Sequence, residues 1–437
     1  MNKSLYLLLL SALFVFSAFG QEKLTLKKAI DIALEKNYTI ISSQYQSQTS
    51  HNNLSAALGA LLPSVGVNGS LGRSESYYPQ TYFNPAGSSA NTSVSASVGA
   101  NITIFDGFAN TSTYAAAKNT AKSSDYNLER TKQMTILSVE QAYYTVLRNE
   151  ELLKVAQDNL KSSQRQLDRI VESNKVGASA KADVYRQQVA TGNDELAVIR
   201  AQSNYDNSKN DLLYMLTLDV TDNYTIEDIT ISNHPEGIDT SYQAEMKNYD
   251  ALIAEALQTR PDYQASLLNK DLKENALTIA RSGYYPTLSA NGSYGLSGDG
   301  FSTLADTKTW RWGLTLSIPV FSGFSTSTNV QSKILDLQLS EEYVNQTKRQ
   351  VQKEIQSALL SLETAKKSFD VASKSVTSAT EDRKIAEERY NLGANTLLDL
   401  LTARANYTQA LSNRVSAYYD FLYAKEQFKV VLGKENY

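Results

Sequence analysis

Phe105-Asp106-Gly107-Phe108 and Phe321-Ser322-Gly323-Phe324 are two versions of one short stretch, 216 residues apart. Each follows a segment in which apolar and small polar residues alternate. Each also opens a run of 69 residues without glycine or proline, which ends at Gly177 in one copy and at Gly393 in the other. Because glycine and proline are the main helix breakers, each run predicts a single helix, roughly 100 Å long at 1.5 Å per residue.

Further pairs show that the duplication covers most of the chain. Leu62-Pro63-Ser64-Val65 returns as Tyr285-Pro286-Thr287-Leu288, and Val176-Gly177-Ala178 returns as Leu392-Gly393-Ala394. Several pairs in the same order indicate a tandem repeat of one unit. We therefore expect a first structural repeat at residues 21–218, an irregular linker at 219–247 and a second structural repeat at 248–437.

The N-terminus has the pattern of a secretory signal peptide. Lys3 precedes an apolar run from Leu5 to Phe19, and Ala18-Phe19-Gly20 fits a cleavage site, so residues 1–20 are expected to be removed. The alternative, a membrane anchor, is disfavoured because the run is short for a spanning helix. Since the chain has no cysteine, it is not expected to be a lipoprotein.

Composition excludes several classes of function. The chain of 437 residues has no cysteine and only two histidines, which argues against catalytic triads and against metal sites made of thiolates or imidazoles. Forty-two Lys and Arg against 46 Asp and Glu give no basic field for nucleic acid. No glycine-rich phosphate loop occurs. We expect no enzyme activity, no catalytic residue, no metal and no cofactor.

The helical parts are expected to form long antiparallel hairpins. Apolar residues recur in steps of three and four within both runs, which is typical of coiled-coil packing. After each Val/Leu-Gly-Ala turn a second long helix is predicted, at about 180–217 and 396–432. Shorter helices are predicted at about 25–60 and 248–282.

Four strands are predicted between the helices. They lie at about 64–73 and 93–105 in the first repeat, and at about 287–296 and 310–320 in the second. Each has one apolar face and one face of small polar residues, which is the pattern of transmembrane β-strands. A soluble sandwich is the alternative. Interfacial aromatic residues of a membrane girdle are expected at Tyr77, Tyr78, Trp310 and Trp312.

The number of strands has a consequence for assembly. Four strands cannot close a membrane barrel, because the smallest barrels have eight, and open strand edges do not occur in lipid. The chain is therefore expected to oligomerise. Two copies would give eight strands and three would give twelve, and the small polar inner face favours the larger ring with an open channel.

The sequence resembles the TolC-like outer membrane efflux protein family. The most specific stretch runs from Glu388-Arg389-Tyr390-Asn391-Leu392-Gly393 through Ala394-Asn395-Thr396-Leu397-Leu398-Asp399 to Leu400-Leu401-Thr402-Ala403-Arg404. The segments Leu24–Ile30 and Ala256–Asp262 resemble the family's helix openings, and with the repeat the resemblance covers the whole mature chain.

The resemblance implies a mainly α fold with transmembrane β-strands. A homotrimer would form a 12-stranded barrel in the outer-membrane lipid of a Gram-negative bacterium, continued by an α-helical tunnel across the periplasm. The tunnel would dock on a periplasmic adaptor, or membrane fusion protein, and on an inner-membrane pump driven by protons or by ATP.

The resemblance also assigns roles at the helix turns. Asp183 and Tyr390 match positions that link neighbouring hairpins in the closed periplasmic gate, and Asp399 matches an acidic residue whose three copies ring the narrowest point. Asn395 stands where the best-known member has an arginine that strengthens the closed state. With Ala182 and Thr402 also departing from that member, a weaker block of cations and a more easily opened gate are expected. The tips expected to contact an adaptor are Val176, Gly177, Ala178, Leu392, Gly393 and Ala394.

Each of these residues also has a simpler interpretation. Asp399 lies three residues after Thr396, where a carboxylate caps a helix and faces its dipole, and the two roles are compatible. Asp183 fits a first-turn acid equally well. Tyr390 fits an aromatic residue of the coiled-coil seam. Gly177 and Gly393 fit C-terminal caps in the left-handed conformation.

The expected function is a passive exit duct of a tripartite efflux or type I secretion system. The main alternative is a trimeric helical cell-surface structural protein or adhesin without a conducting pore. A plain porin is disfavoured because long helices make up most of the chain. The sequence does not identify the exported substrate, the class of pump or the resting state of the gate.

Overall fold

The structure is a computed structural model that describes residues 22–83, 85–221, 224–227 and 248–434. The predicted signal peptide lies outside the described residues, and so does most of the predicted linker. Within the described part, no helix is both long enough and apolar enough to cross a membrane.

The described chain is mainly helical with few strands, which confirms the predicted fold class at that level. Besides four longer strands it has two strands of three residues, which the prediction missed because three residues are too few for an alternating pattern. The elements in chain order are β1 Glu22–Leu24, α1 Leu26–Lys36, α2 Tyr38–Gly59, β2 Ser64–Tyr78, β3 Gly87–Phe105, α3 Ala109–Lys175, α4 Lys181–Met215, β4 Tyr224–Ile226, α5 Tyr249–Thr259, α6 Pro261–Ser282, β5 Thr287–Gly298, β6 Thr307–Ser317, α7 Ser325–Asn391 and α8 Leu397–Val431.

Three predicted elements differ from the structure for local reasons. The first short helix is two helices, because Asn37 is extended at the end of α1 and its side chain caps the next helix, accepting a hydrogen bond of 2.9 Å from the Thr39 amide. The second is also two, since Arg260 precedes Pro261 and is extended, as residues before proline prefer. The last strand ends at Ser317 because Pro319 has no N–H for the ladder.

The chain divides into two compact units. Within the described residues, the helical unit comprises residues 22–42, 130–221, 224–227, 248–260 and 351–434, and the sheet-bearing unit comprises residues 43–83, 85–129 and 261–350. Each unit takes residues from both predicted sequence repeats, so the unit duplicated in the sequence is not the unit that folds compactly.

The sheet-bearing unit contains a four-stranded antiparallel sheet in the order β2-β3-β5-β6. The register aligns apolar residues on one face and small polar residues on the other, because side chains alternate along each strand. Large residues on the apolar face stay exposed, Trp310 by 72%. One apolar row crosses all four strands through Val67, Val98, Tyr294 and Trp310, and the neighbouring row on the other face is Asn68, Ser97, Gly295 and Thr309.

Strand passes to helix in the same conformation at both repeated junctions. Phe108 has φ +71° and Phe324 has φ +66°, each directly after a glycine with positive φ. Such values are uncommon for residues with a side chain. At the first junction the Asp106 carboxylate caps the new helix by accepting a hydrogen bond of 2.8 Å from the Asn110 amide. The match between the two copies shows that the repeat extends to backbone conformation.

The helical unit has two apolar clusters related by the repeat. In one, β1, β4 and α1 pack against α3 and α4, and the Tyr143 hydroxyl lies 2.6 Å from the Glu227 carbonyl oxygen. In the other, α5 packs against α7 and α8, and the Tyr249 hydroxyl donates to the Gln352 carbonyl at 2.9 Å. Buried Arg260 binds the Glu354 carboxylate at 2.7 Å beside this second cluster.

Helices α3 and α4 form an antiparallel hairpin, and so do α7 and α8. In the first hairpin the Asn149 side chain donates to the Asn204 carbonyl, and the Asn159 side chain donates to the Asp194 carboxylate at 2.8 Å. As the residue number increases along α3, the number of the facing residue on α4 decreases, so the two helices are antiparallel. The two hairpins also contact each other, since the Thr408 hydroxyl of α8 donates to Asn159 at 3.1 Å. The turns of both hairpins thus belong to one packed body.

Candidate functional site: two helix turns and an exposed sheet

The first helix turn joins α3 to α4 through a tight cap. Gly177 has φ +77°, and the Ala178 amide donates to the Ser173 carbonyl at 2.9 Å. A hydrogen bond that reaches back five residues is the Schellman pattern, which satisfies carbonyls at a helix C-terminus. The cap leaves Val176 with 79% of its surface exposed. An apolar side chain is thereby presented at the tip of the hairpin.

The second turn, between α7 and α8, has the same construction. Gly393 has φ +72°, and the Ala394 amide donates to the Arg389 carbonyl at 2.8 Å. Leu392 is 83% exposed, like its counterpart in the first turn. Both predicted docking tips therefore combine a rigid cap with one exposed apolar residue.

Near the turns the first hairpin is held by buried polar contacts. The side-chain amide of Gln187 donates to the Ser163 carbonyl oxygen at 3.2 Å and to the Ser163 hydroxyl at 3.0 Å. The Ser163 and Thr191 hydroxyls are hydrogen-bonded to each other at 3.0 Å. All three residues are buried. Because the contacts are polar, the hairpin is fixed here by hydrogen-bond geometry rather than by a large apolar core.

Asp183 and Tyr390 come from different hairpins, and the structure brings them into electrostatic range. Asp183 lies in the first turn of α4 and pairs with Arg186 at 3.1 Å. Burial raises the pKa of the Tyr390 phenol, and the negative charge of Asp183 raises it further, whereas a hydrogen bond with Gln166 lowers it. The phenol therefore stays protonated and can donate a hydrogen bond.

Asp399 is the third residue of α8 and completes a capping box with the N-cap residue Thr396. Its carboxylate accepts from the Thr396 amide at 3.0 Å and from the Thr396 hydroxyl at 2.7 Å, while that hydroxyl accepts from the Asp399 amide at 3.2 Å. The hydrogen bond from the Thr396 hydroxyl lowers the pKa of the Asp399 carboxyl most, and the hydrogen bond from the Thr396 backbone amide lowers it further. Asp399 is therefore an exposed, firmly ionised group beside the second turn.

Asn395 lies one residue before this box. Its side chain is half-buried and makes no hydrogen bond to any residue that the structure describes. Within one chain, Asn395 is thus neither a cap nor a link to the other hairpin.

A charged cluster that the sequence reasoning missed lies next to the turns. Glu387 of α7 accepts from Arg169 of α3 and from Arg404 of α8, both at 3.4 Å. Burial lowers the pKa of the Arg404 guanidinium, opposed by Glu387. No local pattern could have revealed the cluster, because its members come from three helices.

Of the predicted girdle residues, Tyr77 and Tyr78 lie at the end of the sheet that carries the β2–β3 loop, whereas Trp310 and Trp312 lie in the middle part of β6. Trp310 and Trp312 stand two positions apart on β6, so they share one face, and Tyr77 and Tyr78 end β2. All four are exposed. Aromatic side chains of this kind prefer the level of the lipid headgroups.

A second aromatic group, which the sequence reasoning missed, lies at the opposite end of the sheet. The rings of Phe105 and Phe108 meet edge to face at 5.5 Å, and those of Phe321 and Phe324 meet in the same way at 5.7 Å. Tyr285 joins the first pair at 6.5 Å. The repeated Phe-x-Gly-Phe motif was the available signal. Two aromatic levels thus bracket the apolar face.

The described residues offer helix tips, an exposed sheet and charged contacts. Among them, no group of three or more metal-ligating side chains could hold a metal ion. What the arrangement can do is present surfaces to lipid, to water and to other proteins.

Comparison with known proteins identifies related sequences. The sequence model of the family described as outer membrane efflux protein matches residues 29–217 and 252–434. The outer membrane protein TolC of Escherichia coli is 23% identical in an alignment 448 positions long, which covers 100% of this chain and 87% of TolC. The toluene efflux pump outer membrane protein TtgC of Pseudomonas putida is 24% identical, and the alignment covers 80% of this chain and 70% of TtgC.

Solved structures share the fold. The CmeC outer membrane channel of Campylobacter jejuni superposes with a TM-score of 0.80 at 22% identity, covering 94% of this chain and 85% of CmeC. The outer membrane protein VceC of Vibrio cholerae superposes with a TM-score of 0.80 at 17% identity, covering 93% of this chain and 96% of VceC. The arrangement of long hairpins and a small sheet is therefore common to these proteins.

Proposed function

The chain belongs to the outer membrane efflux protein family and is an exit duct of the outer membrane with a periplasmic helical part, and we propose that three copies build each duct. In this assembly the twelve longer strands form one barrel in the lipid, and the hairpins form a tunnel in the periplasm. The family is one of channels and not of enzymes, so we assign the chain transport without a reaction centre.

The open sheet is the observation that supports this proposal most. β2 and β6 are its two edges, and in the described part of the chain neither has a further strand partner. Unpaired edges are costly in hydrocarbon, because no water satisfies their N–H and C=O groups. All neighbours in the sheet are antiparallel. With four strands per copy, β6 of one copy would therefore meet β2 of the next antiparallel, as closure requires.

The two faces of the sheet fit lipid outside and water inside. The exposed apolar row from Val67 to Trp310 suits hydrocarbon, and the opposite row of Asn, Ser, Gly and Thr suits a hydrated lumen. Twelve strands leave more room than the eight that side chains fill.

The gate is proposed at the helix turns. Three copies of Asp399 would ring the axis, and a ring of carboxylates favours cations over anions. The Asp183 and Tyr390 pair, together with Gln166, would hold neighbouring hairpins together while the gate is closed. Since the Asn395 side chain adds no bond within the chain, it would contribute little to closure.

The exposed tips are proposed as the docking surface. Val176 and Leu392 are fixed by their caps, and rigid apolar residues at the end of a hairpin suit packing against a partner helix. The partner would be a periplasmic adaptor joined to an inner-membrane pump, driven by protons or by ATP, which supplies the energy. Drugs, metabolites, metals or polypeptides would then pass through the duct passively.

Site-specific crosslinking tests docking. Because the chain has no cysteine, Val176→Cys and Leu392→Cys each introduce the only thiol. We expect both variants to crosslink in cells to a periplasmic protein of the adaptor class, identified by mass spectrometry. Tyr82→Cys is the matched control, since it is 97% exposed in a strand-to-strand loop of the sheet and should give no such product. Equal crosslinking by all three variants would contradict docking at the tips.

Conductance separates the duct from the alternative of a helical surface protein. Purified protein in planar bilayers should show low, cation-biased conductance. A protein that inserts but never conducts would contradict the duct.

A further inference from the structure

A cleft in the helical unit lies between α3, α7 and α8, about 820 Å³ in volume. Its polar lining is strongly basic, since five cationic side chains and three carboxylates face it, an excess of two positive charges. Four of the cations are the arginines Arg165, Arg169, Arg383 and Arg404. The exit duct gives this cleft no role.

The arginines outnumber the acceptors near them. Glu387 is shared by Arg169 and Arg404 at 3.4 Å each, which is long for a charge-assisted hydrogen bond. Arg383 has no carboxylate within ion-pair distance among the described residues, and its guanidinium instead stacks on the Tyr407 ring at 4.2 Å. One carboxylate therefore serves two guanidinium groups, and the third guanidinium, that of Arg383, has none.

Two N–H groups of this cluster are hidden from solvent without an acceptor. They are Nη1 of Arg404 and Nε of Arg383, neither of which has a hydrogen-bond partner in the described part of the chain. Arg404 has only 12% of its side chain exposed. A buried donor that is left unsatisfied is unfavourable, and more so when it is charged. A bound oxyanion would accept hydrogen bonds from these unsatisfied N–H donors and would neutralise the excess positive charge of the cleft.

We propose that this cleft binds a small organic anion with two or more carboxylate or phosphate groups. Arginine forks match the planar geometry of these groups and bind them with two parallel hydrogen bonds. The volume lies in the range of small-molecule sites and exceeds what one inorganic phosphate fills. Because the ligand would bridge arginines of α3, α7 and α8, it would also tie the two hairpins together.

Citrate is the probe, titrated into the full chain in detergent at low ionic strength and followed by isothermal titration calorimetry. We expect saturable binding of one citrate per chain, which weakens as sodium chloride is added. Arg404→Gln should weaken binding roughly tenfold or more, because a hydrogen bond to a charged group is lost. Arg200→Gln, an exposed arginine of α4 outside the cleft, should leave the affinity unchanged.

Two further variants keep the test decisive. Arg404→Lys retains the charge but not the fork, so its affinity should fall between those of wild type and Arg404→Gln. Arg383→Gln removes an arginine without an ion pair, so it serves if Arg404→Gln does not assemble, and it should also weaken binding. Absence of saturable citrate binding in wild type, or an equal loss in the Arg200→Gln control, would overturn the proposal. The readout is binding and does not depend on conductance.

Discussion

At the scale of single residues, Asp399 shows how a structural and a functional role can coincide. The Thr396 hydroxyl that completes the helix cap also lowers the pKa of the carboxyl. A lowered pKa means that the carboxylate stays ionised to a more acidic pH. A residue that helps to cap α8 is thus also a negative charge beside the turn at neutral pH.

Asp399→Asn should reduce the cation preference of the channel, measured as the reversal potential in a salt gradient across a planar bilayer. The control is Asp219→Asn, because Asp219 also accepts hydrogen bonds from a threonine, Thr221, and has a lowered pKa, but lies in the segment after α4. That control should keep the wild-type preference. An unchanged preference in Asp399→Asn would remove this residue from the gate.

The same hydrogen bond predicts a pH dependence. In wild type the cation preference should be constant from about pH 8 to about pH 5 and fall only below the usual aspartate pKa of about 3.9. Thr396→Val removes the hydroxyl donor, so the Asp399 pKa rises toward its ordinary value. On acidification, this variant should therefore begin to lose its cation preference at a higher pH than wild type. Superimposable pH profiles would contradict the assigned cause.

The repeated junction offers a matched pair of glycines. A Cβ at Gly107 would lie 2.8 Å from the Tyr285 Cβ, whereas a Cβ at Gly323 meets nothing within 4 Å, and both glycines have positive φ. Gly323→Ala should therefore cost about 1–2 kcal/mol from backbone strain alone, and Gly107→Ala should cost more. Thermal unfolding in detergent measures the difference. Equal loss in the two variants would contradict the close approach at the first junction.

At the scale of elements, the longest helices were the easiest to predict. The two runs without glycine or proline correspond to Ala109–Lys175 and Ser325–Asn391, because helix breakers set the boundaries locally. The Arg404 and Glu387 pair could not be predicted, since it depends on how separate helices pack. The left-handed Phe108 is likewise set by its junction rather than by its own preference.

The buried polar contacts of the first hairpin lead to an element-scale prediction. Gln187 is fully buried and donates to Ser163 at two atoms. Gln187→Ala should destabilise the hairpin by about 1–3 kcal/mol, because the Ser163 carbonyl loses a buried donor. The neighbouring exposed Gln188→Ala should change little. Hydrogen exchange of the backbone amides of α3 and α4 measures the stability of the hairpin in each variant. Equal protection of these amides in the two variants would contradict the role of Gln187.

At the scale of the whole molecule, the segments that are repeated in the sequence are not the segments that form the compact units. Each predicted repeat contributes two of the four longer strands and one long hairpin, yet strands of both repeats build one sheet and hairpins of both pack together. Like elements of the two copies assemble because each alone leaves a face unburied. The same reasoning extends to further copies of the chain, since the sheet still has two open edges and an exposed apolar face.

The mass of the intact complex in detergent, measured by native mass spectrometry, tests the central claim most directly. We predict a single species of three chains, because three copies supply the twelve strands that close the sheet around a hydrated lumen. A folded monomer would contradict the account, since its β2 and β6 edges would remain unpaired, and so would a dimer, whose eight strands leave no open channel.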